Sequence, residues 1–172
     1  MGVGSSNPEN SFAGVLAQKF SDKSIENNAE IGETTKSLQN TLDKKLDGNY
    51  ETIYIIIGGN DIMRMHINLF TSKKSLNSVV KKTSKHANKI VLVTTGNFKY
   101  VSLAPAALRG VFDMRAKMLR DSALALEAES DEVDYIDFYS VPLKESEYKQ
   151  LEAADGYHLN DDGIQRLIAA IP

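Results

Sequence analysis

Cysteine is absent from all 172 residues, which removes disulfide bridges and thiolate metal sites at once. That absence fits reducing and oxidising surroundings alike, so it assigns no compartment. The three histidines, His66, His86 and His158, are scattered, with no HExxH motif and no carboxylate cluster at ligand spacing. A dedicated zinc site is therefore not expected. No apolar run approaches the roughly 18 residues of a membrane-spanning helix, and no signal-peptide pattern is visible. Basic residues form no stripe and the net charge is -3, which argues against a nucleic-acid partner. The local excess at Lys73-Lys74 and Lys81-Lys82-Thr83-Ser84-Lys85 reads as the solvated face of a helix.

What is present is the composition of an ordinary globular chain, with 42% hydrophobic and 25% charged residues and a mean hydropathy of -0.29. The length fits a single domain spanning residues 1–172. Gly2 to Asn10 is a run of turn formers. It leads into a short helix from Ser11 to Phe20, whose Phe12, Val15, Leu16 and Phe20 share one face, with Asn10 placed as its N-cap. Ser24 to Ala29 is a weak strand candidate, and Leu38, Leu42 and Leu46 mark a second helix. Thr52 to Ile57 is a continuous β-branched run and Lys89 to Thr95 a second buried-type run, both expected as strands buried on both faces. Helical spacing covers Lys74 to Ala87 and Pro105 to Ala128. Val133 to Phe138 is a shorter strand, and a final helix runs from about Asp161 to Ala170 behind Asn160.

This alternation builds an α/β/α sandwich around a parallel sheet, with sites at the carboxyl ends of the strands. The chain opens on a loop and a helix, however, where such a sheet opens on a strand. It reads as if its first strand had been cut off.

Three segments carry candidate chemistry. Gly58-Gly59-Asn60-Asp61 follows a buried strand, and the Asn60 amide could donate to a developing oxyanion; the plainer alternative is a tight turn, where these residue types are favoured anyway. Gly32, before Thr34-Thr35, could offer a backbone N–H, or simply mark a strand-to-helix turn capped by either threonine. Asp155 and His158 sit three residues apart ahead of the last helix, spaced so that a carboxylate can orient an imidazole; an Asp-Gly turn followed by a structural histidine is the alternative. Met63 and Met65 could shape an acyl pocket but fit core packing better, and His66 and His86 fit surface positions.

In combination and order these segments resemble the SGNH hydrolases, also called the GDSL esterase/lipase family. Asn28 to Thr35 is similar to the family's second block, Gly58 to Asp61 to its Gly-x-Asn-Asp block, and Asp155-Gly156-Tyr157-His158 to its closing Asp-x-x-His block. The resemblance implies a flavodoxin-like α/β fold and a Ser-His-Asp hydrolase acting on a small carboxylic ester, with no metal or organic cofactor needed. In that reading His158 is the general base, Asp155 orients it, and Gly32 N–H and Asn60 form the oxyanion hole.

The family's first block, Gly-Asp-Ser, is not found; if its closing glycine is Gly2, the nucleophilic serine falls upstream of Met1. Three explanations stand: an internal methionine or truncation at Met1, a natural member without a nucleophile, or substitution by Ser5 or Ser6, whose loop position suits them poorly. The expectation is therefore a chain that is inactive as it stands, with exposed sheet edges that invite homo-oligomers. A non-catalytic α/β binding protein that keeps the pocket is the alternative, and a flavodoxin-like nucleotide binder a remoter one.

Overall fold

The structure, a computed structural model, describes residues 2–171. Met1, on which the expected truncation turns, lies outside the described residues. The chain falls into two compact units, one formed by residues 2–31, 99–109 and 142–171, the other by residues 32–98 and 110–141.

The second unit holds the sheet. Strands β1 (Tyr50–Ile56), β2 (Ala87–Val93) and β3 (Val133–Tyr135) lie in the order β1-β2-β3 and pair in parallel. Parallel neighbours need crossovers. Helices α3 (Gly59–Met63) and α4 (Leu69–Thr83) make the first, and α5 (Arg109–Glu129) makes the second. Helix α2 (Thr35–Lys45) precedes β1 and packs against α4. The register places Ile53 beside Ile90 and Ile55 beside Leu92, with Leu92 beside Tyr135. This face joins Leu38 and Leu42 of α2, Leu76, Val79 and Val80 of α4, and Ala123 and Leu126 of α5 in one core. Val91 and Val93, on the opposite face, are buried as well. The fold is α/β with a parallel sheet, as the alternation implied.

Two strand expectations change. Ser24 to Ala29 forms no strand. It carries only Ile25 and Ala29 as apolar residues, and its polar groups bond locally: Asn28 Nδ2 donates to Glu26 Oε1 at 2.6 Å and Ala29 N–H to Asn27 Oδ1 at 3.2 Å. Such bonds offer the backbone an alternative to a ladder. In addition, β1 is not buried on both faces. Among its residues only Ile55 is buried, because the strand forms an edge of the described sheet and pairs with β2 alone.

The first unit contains α1 (Phe12–Lys19), α6 (Glu145–Gln150) and α7 (Asp161–Ala169). Ser11, rather than Asn10, caps α1, accepting from Gly14 N–H at 3.1 Å. Asn10 instead closes a short 3-10 turn over Pro8–Asn10. Asn160 caps α7 as expected, accepting from Gly163 N–H at 3.0 Å. Helix α4 begins at Leu69 behind Asn68, five residues before the expected Lys74; Asn68 accepts from Phe70 N–H at 2.9 Å and stops the helix from extending backwards.

Candidate active site

Each half of the expected site belongs to a different unit. In the first, the Asp155–His158 loop folds back on itself ahead of α7. Gly156 takes a left-handed conformation (φ 68°) that an L side chain resists, and a Cβ there would press on Ser102 Cβ at 3.1 Å. The turn closes with Gly156 N–H on Ala153 O at 2.9 Å and Ala153 N–H on His158 O at 2.8 Å.

Inside this loop the Asp155 carboxylate is fully used. Oδ1 accepts from the backbone N–H groups of Tyr157 and His158 at 2.9 and 3.0 Å, and Oδ2 meets His158 Nδ1 at 2.6 Å. Partial burial pushes the Asp155 carboxyl up, but the bond from His158 and the two backbone donors outweigh it and hold it below the ordinary carboxylate value. The imidazole is fixed through Nδ1, and its edge contact with Tyr157 limits rotation. Its Nε2 has no hydrogen-bond partner among the described residues and the side chain is 39% exposed. A ring held at Nδ1 and open at Nε2 is the arrangement a general base needs.

The N-terminal loop packs hard on this histidine. Gly4 (φ 96°) lies so close that a Cβ would collide with Leu159 O and come within 2.9 Å of His158 Cβ. Ser6 N–H and Oγ donate to the two oxygens of Asp161 at 2.8 and 2.6 Å, and Asn10 Nδ2 adds a bond at 2.8 Å. Ser5 Oγ donates to Gly2 O at 2.7 Å. Both serine hydroxyls considered as substitute nucleophiles are thus engaged elsewhere.

The second unit holds Gly32 and Asn60. Gly58 (φ 113°) turns the chain out of β1, with a Cβ position only 3.1 Å from Leu119 Cδ1, and α3 begins at once. That turn aims Asn60 Nδ2 at Glu33 O, 3.1 Å away, so Asn60 is tied to the segment that starts at Gly32. An amide nitrogen carries two hydrogens; Glu33 takes one and the other is left to donate. Gly32 itself is left-handed (φ 77°).

Sequence reasoning missed what holds these groups in place. Asp61 is wholly buried and accepts from Thr35 N–H at 3.0 Å, Thr35 Oγ1 at 2.6 Å and Ser72 Oγ at 2.6 Å. It therefore binds the first residue of α2, where a negative charge is favoured by the helix dipole. Arg115, 8% exposed, donates to four carbonyls, those of Ile62, Asp61, Arg64 and Ile67. Burial pulls its guanidinium down and the Asp61 charge opposes this. A charged residue on the Phe112, Ala116, Leu119 stripe of α5 was the available signal. Met63 is half-buried and Met65 exposed, so the methionines contribute little core.

Among the described residues no group of three or more His, Asp or Glu side chains could hold a metal ion, and no helix is long and apolar enough to cross a membrane.

The sequence profile of the GDSL-like Lipase/Acylhydrolase family matches residues 1–166. The chain belongs to that family. Solved structures agree on the fold. A lipolytic protein of the G-D-S-L family from Veillonella parvula superposes with a TM-score of 0.76 at 15% identity, covering 95% of this chain and 86% of its own. The acetylxylan esterase Axe2 from Geobacillus stearothermophilus gives 0.65 at 19% identity over 92% and 76%. LAE5, an alpha/beta hydrolase from the Lake Arreo metagenome, gives 0.66 at 20% identity over 98% and 84%. No curated protein sequence matches. As a GDSL-type chain the protein is a hydrolase of the ester class, and its buried Asp61 lies in the block that carries Asn60.

Proposed function

We propose that this protein carries the acid–base pair and the oxyanion donors of a serine-dependent carboxylic ester hydrolase, with Asp155 and His158 as the pair and Gly32 N–H and Asn60 Nδ2 as the donors. The observation that carries the reading is the 2.6 Å contact between His158 Nδ1 and Asp155 Oδ2, with Nε2 left open. In the reaction a serine Oγ attacks the ester carbonyl while His158 Nε2 takes its proton, forming a C–O bond and a tetrahedral oxyanion. Gly32 and Asn60 stabilise that charge. Collapse breaks the bond to the alcohol, which leaves with the proton from His158, and water then releases the acid by the same two steps. Asp155 stabilises the imidazolium throughout.

No Gly-Asp-Ser sequence occurs in the 172 residues, so a polypeptide limited to them is expected to lack turnover. Loss of a triad serine costs on the order of six decades. The test compares this polypeptide with one extended by the codons upstream of Met1, using 4-nitrophenyl acetate and a fluorophosphonate label. An extended form that carries the block, takes the label and loses activity with His158→Ala supports the reading. Robust hydrolysis by the 172-residue form that depends on His158 overturns the assignment of the nucleophile. Upstream codons without the block favour a binding protein instead.

A further inference from the structure

The guanidinium of Arg64 lies against Gly32: a Cβ built on that glycine would stand 3.1 Å from Arg64 Nη2. We propose that Arg64 is a specificity-determining residue that binds an anionic oxy-acid group, carboxylate or phosphate, carried by the ester close to its reacting carbonyl. The inference rests on the oxyanion role given to Gly32 above and goes beyond it to the kind of ester accepted.

Four observations converge. The residue is exposed, and its guanidinium has no hydrogen bond or ion pair among the described residues. The nearest acid in sequence to Gly32 does not neutralise it, since the Glu33 carboxylate faces Lys45 Nζ at 3.5 Å and Thr41 Oγ1 at 3.2 Å. Three of the other four arginines are committed, Arg115 to four carbonyls, Arg120 to Asp137 and Arg109 to Ala104 O, and the fourth, Arg166, is exposed on α7, in the unit that does not hold Gly32. Finally, the side chain springs from a fixed backbone. Arg64 N–H donates to Asn60 O at 3.1 Å, and Arg115 Nη2 reaches Arg64 O at 3.2 Å.

A free guanidinium on a held backbone offers a planar fork of donors that matches a carboxylate or phosphate edge. Because it touches the residue whose N–H would face the carbonyl oxygen, an anion bound there sits a few ångströms from the reacting carbon. That spacing fits an ester whose second acidic group is separated by a short linker, such as a half-ester of a short diacid or an acylated phosphate. Glycine at position 32 is what lets the guanidinium approach.

The proposal is tested on the 15N-labelled 172-residue chain by titrating three esters: monomethyl succinate, 2-acetoxyethyl phosphate and methyl butyrate. At least one anionic probe should shift the Gly32 amide and Arg64 Nε signals and bind about tenfold more tightly than methyl butyrate. Arg64→Gln should bring that ratio close to one, and Arg64→Lys should restore part of it. The better anionic probe identifies carboxylate or phosphate as the natural group. Equal binding of charged and neutral esters overturns the proposal, as does no binding of any probe, or a loss in Arg64→Gln that is the same for all three. Parallel turnover assays on the extended form separate the two readings. Absent hydrolysis with an Arg64-dependent preference in binding sinks the esterase assignment alone; hydrolysis indifferent to substrate charge and to Arg64 sinks this inference alone.

Discussion

Arg115 Nη2 donates to the main-chain carbonyl of Asp61 at 2.6 Å, while the Asp61 carboxylate turns away to Thr35 and Ser72. A buried cation and a buried anion therefore sit side by side without an ion pair joining their side chains among the described residues. Each is satisfied by other groups, as buried charges must be. Their joint product is a rigid turn: Asp61 ties α2 to the Asn60 segment, and Arg115 gathers the carbonyls that follow it.

Removing Arg115 should consequently cost more than an average substitution. Arg115→Met keeps much of the packing but leaves four carbonyls short of a donor and the Asp61 charge without a nearby cation. We expect a loss of about 3 kcal/mol on the scale of broken buried networks, read as a lower urea midpoint with an unchanged slope. Arg115→Lys should recover only part, since an ammonium cannot reproduce the planar fork. A midpoint within error of wild type would show that water replaces the guanidinium freely.

The Asp155 carboxyl should titrate below the ordinary aspartate value, and His158→Ala should move it upward by removing one of its donors. For a group whose folded pKa is depressed, the stabilising contribution is present above the unfolded value and is lost as pH falls through the folded one. Asp155→Asn should therefore be less stable than wild type near neutrality, with the two converging in acid. The side chain is 43% exposed, so solvent screening keeps the effect small. Carboxyl 13C titration by NMR checks the direction; a midpoint at or above the usual aspartate range would mean that partial burial outweighs the three donors.

These cases show what the sequence could and could not reveal. The β-branched runs became β1 and β2 because continuous apolar segments have few other stable fates in a chain of this size. Asp155 and His158 were legible since they are close in sequence and one turn joins them. Arg115 was not, because its four acceptors lie about fifty residues away and nothing local marks them. Ser24 to Ala29 shows the converse: local pattern proposed a strand, but a strand also needs a neighbour, and the polar side chains there supplied bonds without one. Arg64 belongs with Arg115, as only the folded turn brings it to Gly32.

Tyr135 gives a prediction in the alkaline range. Burial raises its phenol from 10.0 to about 12, partly countered by the bond to Thr94 Oγ1 at 2.8 Å. A raised folded pKa contributes stability that is complete below the unfolded value and is lost as pH climbs through the folded one. Between about pH 10 and 12 the protein should lose stability, by up to about 3 kcal/mol from this residue. Burial also raises Tyr148, so the informative quantity is the difference between wild type and Tyr135→Phe. The variant should start lower, because Thr94 loses its partner, and should decline less steeply. Parallel declines in urea midpoint would refute the assignment.

The contact of Gly4 with the histidine loop offers a test of how the N-terminal segment supports His158. Any side chain at Gly4 meets two penalties: a left-handed backbone, costing on the order of 1–3 kcal/mol, and collision with Leu159 O and His158 Cβ. The collision partners are backbone and a Cβ, neither of which can swing aside as a flexible side chain would. Gly4→Ala should thus displace the loop and disturb the short bond between His158 and Asp155, visible as a shift of the His158 Nδ1 proton signal and faster exchange of the His158 amide. Gly48→Ala is the control, since nothing lies within 4 Å of the added carbon. Its spectrum around His158 should match wild type. If Gly4→Ala leaves the His158 signals in place, the N-terminal loop moves independently of the histidine and lends it no support.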